Sequence, residues 1–195
     1  MYSPHPALVF GFHGTDEKIG RELINGASFK QSDNPYDWLG SGIYFWENNY
    51  ARAKQYAEWL QKRERSSVKN PFVVGSVIDL GNCLDLLDHK YNEFLKVAHK
   101  LLMKELDDNG QQVPKNKSLG QNDFDFKGRF LDCKVIQYAC QLAENEQQKF
   151  DSVRAAFIEG KPLYDGSKFY SENHIQIAVR NPECIKAVFL PRVSD

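Results

Sequence analysis

Strand-forming runs stand at both ends of this chain and helical patterns fill its middle, an order that excludes most topologies at once. Leu8 to Phe12 (L-V-F-G-F) reads as a buried strand. Two β-type runs, His174 to Val179 and Ile185 to Leu190, close the sequence around an Asn181-Pro182 turn. A doubly wound parallel sheet needs strands that alternate regularly with helices, and that alternation is missing. The pattern predicts an α+β domain with a split antiparallel β core flanked by helices.

The interior of the chain follows from apolar spacing. Asp16 can cap a helix over Glu17 to about Asn25 that Gly26 stops, so the order there is strand, then His13-Gly14-Thr15, then helix. Ser28 to Leu39 is polar and turn-rich, and Gly40-Ser41-Gly42 leads into a short β-type run, Ile43 to Trp46. Ala53, Tyr56, Ala57 and Leu60 recur at helical spacing within Ala51 to Arg65, and Phe72 to Leu80 is the clearest strand. Apolar residues from Tyr91 to Leu106 keep the period of an amphipathic helix that Gly110 ends. A further helix, about Leu131 to Phe150, precedes a turn region with Gly160, Pro162 and Gly166.

The 195 residues suit one well-buried core, hence one domain over 1–195, with a long loop insertion at about 107–128 of the size that serves as a lid or docking surface. Lys plus Arg number 25 against 26 Asp plus Glu, so no net field draws the molecule to a phosphate backbone or an anionic membrane. Cys83, Cys133, Cys140 and Cys184 show neither zinc nor redox spacing. They are expected to be reduced and buried, in a cytoplasmic compartment, with no metal site. Met1 to Phe12 lacks a basic segment followed by a long apolar run, so no export signal or membrane span is expected.

Three strand segments each carry one polar residue of a type that handles nucleotides. Taken singly, each has a plain structural explanation. A histidine such as His13 after an apolar strand is ordinarily a satisfied structural residue. Tyr44 in G-I-Y-F is ordinarily core, and Gln176 in H-I-Q-I-A-V would sit on the outer face of a strand.

Together these segments resemble the ADP-ribosyltransferase fold of the poly(ADP-ribose) polymerases, whose signature is a His, a Tyr and a Glu on three strands. The His-Gly-Ser/Thr element appears as Phe12-His13-Gly14-Thr15, and Gly-x-Gly-Ile-Tyr-Phe as Gly40-Ser41-Gly42-Ile43-Tyr44-Phe45, followed by a helix with Ala53 and Tyr56. Val74 to Asn82 looks like the strand and turn that come next in that family. The agreement lapses from Asp85 to Asn173 and resumes in the last strands. The resemblance implies an NAD site between the split sheets. Gly14 would offer its N–H and C=O to the nicotinamide carboxamide, at a position where the lack of a β-carbon lets the ring approach. Thr15 would add a hydroxyl, and His13 would hold the adenosine-side ribose. Tyr44 and Tyr56 would sandwich the pyridine ring, with Tyr50 as a rival to Tyr56 and core packing an equal alternative for it. Arg154 is placed either on the NAD diphosphate or, more simply, in solvent.

The family's Glu aligns with Gln176. Its carboxylate opposes the positive charge that develops on the ribose, a term of roughly 4 kcal/mol at an effective dielectric of 20, of which an amide dipole keeps a fraction. Slow, single ADP-ribose transfer is the implied outcome. Glu172 lies about 13 Å along the strand from Gln176 and does not substitute for it. His174 shares a face with Gln176 at the position where related toxins carry the first Glu of a Glu-x-Glu pair. It is a candidate for activating the acceptor, against the alternative of closing the strand end. The resemblance thus implies a compact mono-ADP-ribosyltransferase of the bacterial effector or toxin type. It would act on a protein or nucleic acid, and an antitoxin or immunity protein could be its partner. An NAD glycohydrolase and a silent NAD or ADP-ribose binding module are the alternatives.

Overall fold

A computed structural model describes residues 8–64, 66–118 and 128–192. Its strands are β1 (Val9–Asp16), β2 (Ile43–Glu47), β3 (Pro71–Ile78), β4 (Cys83–Asp85), β5 (Ser152–Phe157), β6 (His174–Val179) and β7 (Ile185–Phe189). They form a seven-stranded sheet in the order β4-β5-β6-β2-β1-β3-β7, antiparallel throughout except for the parallel pair β4–β5. The helices are α1 (Glu17–Ile24), α2 (Tyr50–Gln61), α3 (Lys90–Asp108) and α4 (Phe130–Asn145). The chain is an α+β protein built on one sheet, where the sequence pattern predicted a split core.

Several elements form for the local reasons anticipated. The Asp16 carboxylate accepts from the Lys18 N–H and so caps α1, and it also accepts from the Lys69 and Asn70 N–H groups, which ties β1 to the start of β3. Those three N–H groups hold its carboxyl below the usual range. The strand β6 has the predicted bounds, and the Asn181 side chain caps the single 3-10 turn Pro182–Cys184 between it and β7.

Other elements depart from the sequence pattern. Strand β1 does not end at Phe12 but carries His13-Gly14-Thr15 on to Asp16, because β3 pairs with it at every residue from Val9↔Ile78 to Asp16↔Pro71. The short β4 and the six-residue β5 were not anticipated. Helix α4 ends at Asn145, and Phe150 anchors the turn before β5. Of the long insertion, residues 119–127 lie outside the described residues; 111–118 contain no helix or strand, apart from a bridge between Lys117 and Gly128.

Side-chain alternation along the strands sorts the sheet into two faces. One carries His13, Ile43, Phe45, Val74 and Ile177, and α1 packs there: a β-carbon added to Gly20 would lie 2.3 Å from the Phe72 ring. The other carries Gly14, Tyr44, Trp46, Gln176 and Ala178. On this second face α2 packs through Ala53 beside Trp46 and Val73, and α4 packs through Ile136, Cys140 and Ala143 over Val153, Ala155 and Ala178. Helix α3 lies against α4 through Leu102, Leu106 and Val135. The stretch of β2 and β6 between α2 and α4 is where the candidate site lies. All four cysteines are free and buried. Among the described residues no helix is long and apolar enough to cross a membrane.

Candidate functional site

The seam between β1 and β2 is the shortest ladder around the central strands, with only Gly11↔Glu47 and Phe12↔Trp46 in register. The Phe10 carbonyl accepts from the Asn48 N–H at 2.9 Å, so it faces β2; amides and carbonyls alternate sides along a strand, so those of Phe12 and Gly14 face β2 as well. A continued ladder would join the Gly14 N–H to the Tyr44 carbonyl. That carbonyl instead accepts from His13 Nδ1 at 2.8 Å. A carbonyl only accepts, so Nδ1 carries the proton and Nε2 the lone pair. The His13 ring packs against Phe29 and Phe45, and burial holds its pKa below the ordinary 6.5, opposed by the bond to Tyr44. The imidazole thus takes one ladder position and leaves the Gly14 N–H and C=O outside the β1–β2 ladder.

The absence of a side chain at Gly14 has a reason other than the one expected. An added β-carbon would sit 2.2 Å from the Ala53 carbonyl oxygen, so glycine is required for α2 to approach the sheet, and not primarily for a ring to do so. Thr15 is buried on the His13 side of the strand. Tyr44 accepts from the Leu39 N–H at 2.8 Å and donates to the Gly40 carbonyl at 2.7 Å. Its ring packs with the core cluster around Leu39 and Ile136, and burial raises its pKa well above 10.0. Tyr44 therefore fixes the loop that leads into β2. The anticipated pairing of Tyr44 with Tyr56 is replaced: Tyr56, 38% exposed, packs at 4.9 Å on Trp46 and at 5.6 Å on Trp59.

His174 and Gln176 do share a face, as their spacing requires, and Gln176 stands between Trp46 of β2 and Ala155 of β5. His174 is fully enclosed, stacked on Phe157 at 5.6 Å and on Trp38 at 6.3 Å. Its Nδ1 donates to the Glu172 carbonyl at 2.7 Å, with Glu159 Oε2 at 3.6 Å, which leaves the lone pair on Nε2. Burial, with Arg52 and Arg129 adding to it against the Glu172 carbonyl, pushes its pKa down to about 4, so the ring is neutral at neutral pH. Neither His174 Nε2 nor Trp46 Nε1 has a hydrogen-bond partner among the described residues, although both atoms are buried.

Two charged groups frame this site, one expected elsewhere and one not anticipated. Arg52 of α2 pairs with Glu159 at 2.6 Å and Glu172 at 3.3 Å, and so ties the helix to both ends of the segment before β6. Arg154 is neither in solvent nor free for a diphosphate. On the opposite face it forms a bidentate pair with Glu47, at 2.6 and 2.8 Å, and a third bond to Asp85 at 3.0 Å. Glu47 holds the guanidinium firmly in its charged form. The aromatic content of W-E-N-N-Y after Tyr44 was the one sequence signal for Trp46; the partners of Arg154 and Arg52 lie too far along the chain to be signalled locally.

A cavity of about 270 Å³, lined by Trp38, Leu39, Arg129, Asp132, Ala155 and Phe157, lies against Phe157, the β5 neighbour of His174. It falls below the range of about 300–1,000 Å³ typical of small-molecule pockets.

No family model matches the chain, and no solved structure matches it. Uncharacterized protein MJ0359 of Methanocaldococcus jannaschii is similar to it, 26% identical over 193 residues that cover 90% of this chain and 83% of that protein.

Proposed function

We propose that this chain is a mono-ADP-ribosyltransferase that breaks the nicotinamide–ribose bond of NAD and passes ADP-ribose to a macromolecular acceptor. The observation that supports it most is the opened β1–β2 seam, where the His13 imidazole occupies the Tyr44 carbonyl and the paired donor and acceptor of Gly14 are left out of the ladder. A carboxamide needs one acceptor and one donor side by side, and a single strand residue supplies both. On α2, which packs over Gly14, Tyr56 offers a half-exposed aromatic face, and one strand further on Gln176 and His174 line the same side of the sheet.

In this reading His13 keeps the seam open from the opposite face of the sheet, where its ring packs against Phe29 and Phe45. Gln176 orients a hydroxyl of the other ribose without opposing the charge of the oxocarbenium-like state, so turnover is slow and stops at one unit. Neutral His174 keeps its Nε2 lone pair on the same face as Gln176, beside that ribose. NAD labelled in its adenylate phosphate and incubated with cell lysate tests the proposal. Label on protein or nucleic acid supports transfer. Label only in free ADP-ribose replaces transfer by hydrolysis, and unconsumed NAD contradicts both.

A further inference from the structure

Buried polar atoms without partners are uncommon in folded proteins, and leaving one unpaired costs about 1–3 kcal/mol. Here two stand together: the rings of Trp46 and His174, on adjacent strands flanking Gln176, have centroids 6.4 Å apart, and each keeps one nitrogen unbonded among the described residues. Both residues are more than nine-tenths buried. Their chemistry is complementary. Trp46 Nε1 only donates. His174 Nε2 only accepts, since Nδ1 is committed to the Glu172 carbonyl. A carbonyl or carboxylate would satisfy the first and not the second, and an ammonium the reverse. A hydroxyl satisfies both with one oxygen, which can accept from the indole N–H and donate to the imidazole lone pair.

We propose that Trp46 Nε1 and His174 Nε2 form a site for one hydroxyl group, and that this hydroxyl belongs to the terminal ribose of the donor dinucleotide. The assignment rests on the ADP-ribosyl transfer reading above, and it deepens that reading by giving Gln176 two helpers that share the task of orienting the sugar. Trp46 and His174 are positioning residues here: they hold the ribose hydroxyl, and Gln176 faces the same sugar. Arg52 carries the means of access. It ties α2, which bears Tyr56 over Trp46, to Glu159 and Glu172 beside His174, so release of these two ion pairs would free α2 to move from Trp46.

The test uses the full chain and carba-NAD, a non-hydrolysable analogue that keeps the terminal hydroxyls. The Trp46 indole N–H resonance, identified by its loss in Trp46→Phe, is expected to move downfield on binding, and Trp46→Phe is expected to bind about tenfold more weakly, the worth of one net hydrogen bond. ADP, which lacks the terminal ribose, is expected to leave that resonance in place. Carba-NAD binding with an unmoved indole resonance and undiminished Trp46→Phe affinity overturns the inference and leaves the transferase reading standing. An equal shift with ADP overturns the assignment to the terminal ribose. Absence of carba-NAD binding to the parent overturns both. The resonance shift is read on the parent chain, so it decides even where Trp46→Phe folds poorly.

Discussion

Strands β2 and β5–β6 carry two buried polar clusters on opposite faces of one sheet, and the two are in opposite states. On one face Arg154 spends its guanidinium on three bonds to Glu47 and Asp85, all three residues being nearly enclosed. On the other, Trp46 and His174 sit equally deep and each leaves a ring nitrogen unpaired. The first cluster holds strands together: β4, β5 and β2 meet at one cation, whose charge two carboxylates already counter. In the second, the two unbonded nitrogens belong to residues on β2 and β6, on the face that carries Gln176. That contrast separates Arg154, whose bonds are spent on neighbouring strands, from His174, which keeps a ring nitrogen unbonded.

Removing the cation from the saturated cluster should do the most damage. Arg154→Met strands two buried carboxylates and is expected to lower stability by about 3–5 kcal/mol in denaturant unfolding. Replacing Glu47 and Asp85 by Leu in the same chain should recover most of it. A loss under about 1 kcal/mol would show that the triad is not what joins these strands.

Acid sharpens the contrast from the other side. The folded pKa of His174 is depressed to about 4 against 6.5, so its contribution is fully present above pH 6.5 and is lost as pH falls through 4, because the unfolded chain takes the proton first. The loss amounts to about 2 kcal/mol by pH 5 and about 3 kcal/mol at lower pH. His13, also depressed by burial, adds in the same direction. His174→Phe should flatten the slope between pH 6.5 and 4 while keeping its stability at pH 7 within about 1 kcal/mol of the parent. An unchanged slope in that variant would remove His174 from the enclosed, neutral state described.

What could be read from the residues alone divides along the same line. The cap at Asp16, the span His174–Val179 and the shared face of His174 and Gln176 depend on spacings of a few residues, and those were legible. Strand β5 was not, because Ser152–Phe157 has a charged residue at its centre and pairs with β4 across α3 and α4 and with β6 across a long loop. The extension of β1 through His13-Gly14-Thr15 was missed for a related reason: Gly14 interrupts the local strand pattern, and the segment is held extended by its pairings to Val74, Val73 and Phe72 of β3. Local pattern also names Gly14 as special without saying why, and the 2.2 Å approach to Ala53 supplies a packing reason that no motif contains. The unpaired nitrogen of Trp46 is the hardest feature to foresee, since a tryptophan after G-I-Y-F reads as core and does lie there, 4% exposed.

The claim on which the account turns is that NAD reacts beside Gln176, and nicotinamide release from NAD by purified protein measures it directly. The parent should release nicotinamide slowly, His13→Ala should lose that activity as the β1–β2 seam loses its prop, and Gln176→Glu should release it about tenfold to a hundredfold faster, since a carboxylate restores a few kcal/mol of opposition to the developing charge. No release by the parent, or equal rates in all three correctly folded chains, would contradict the account.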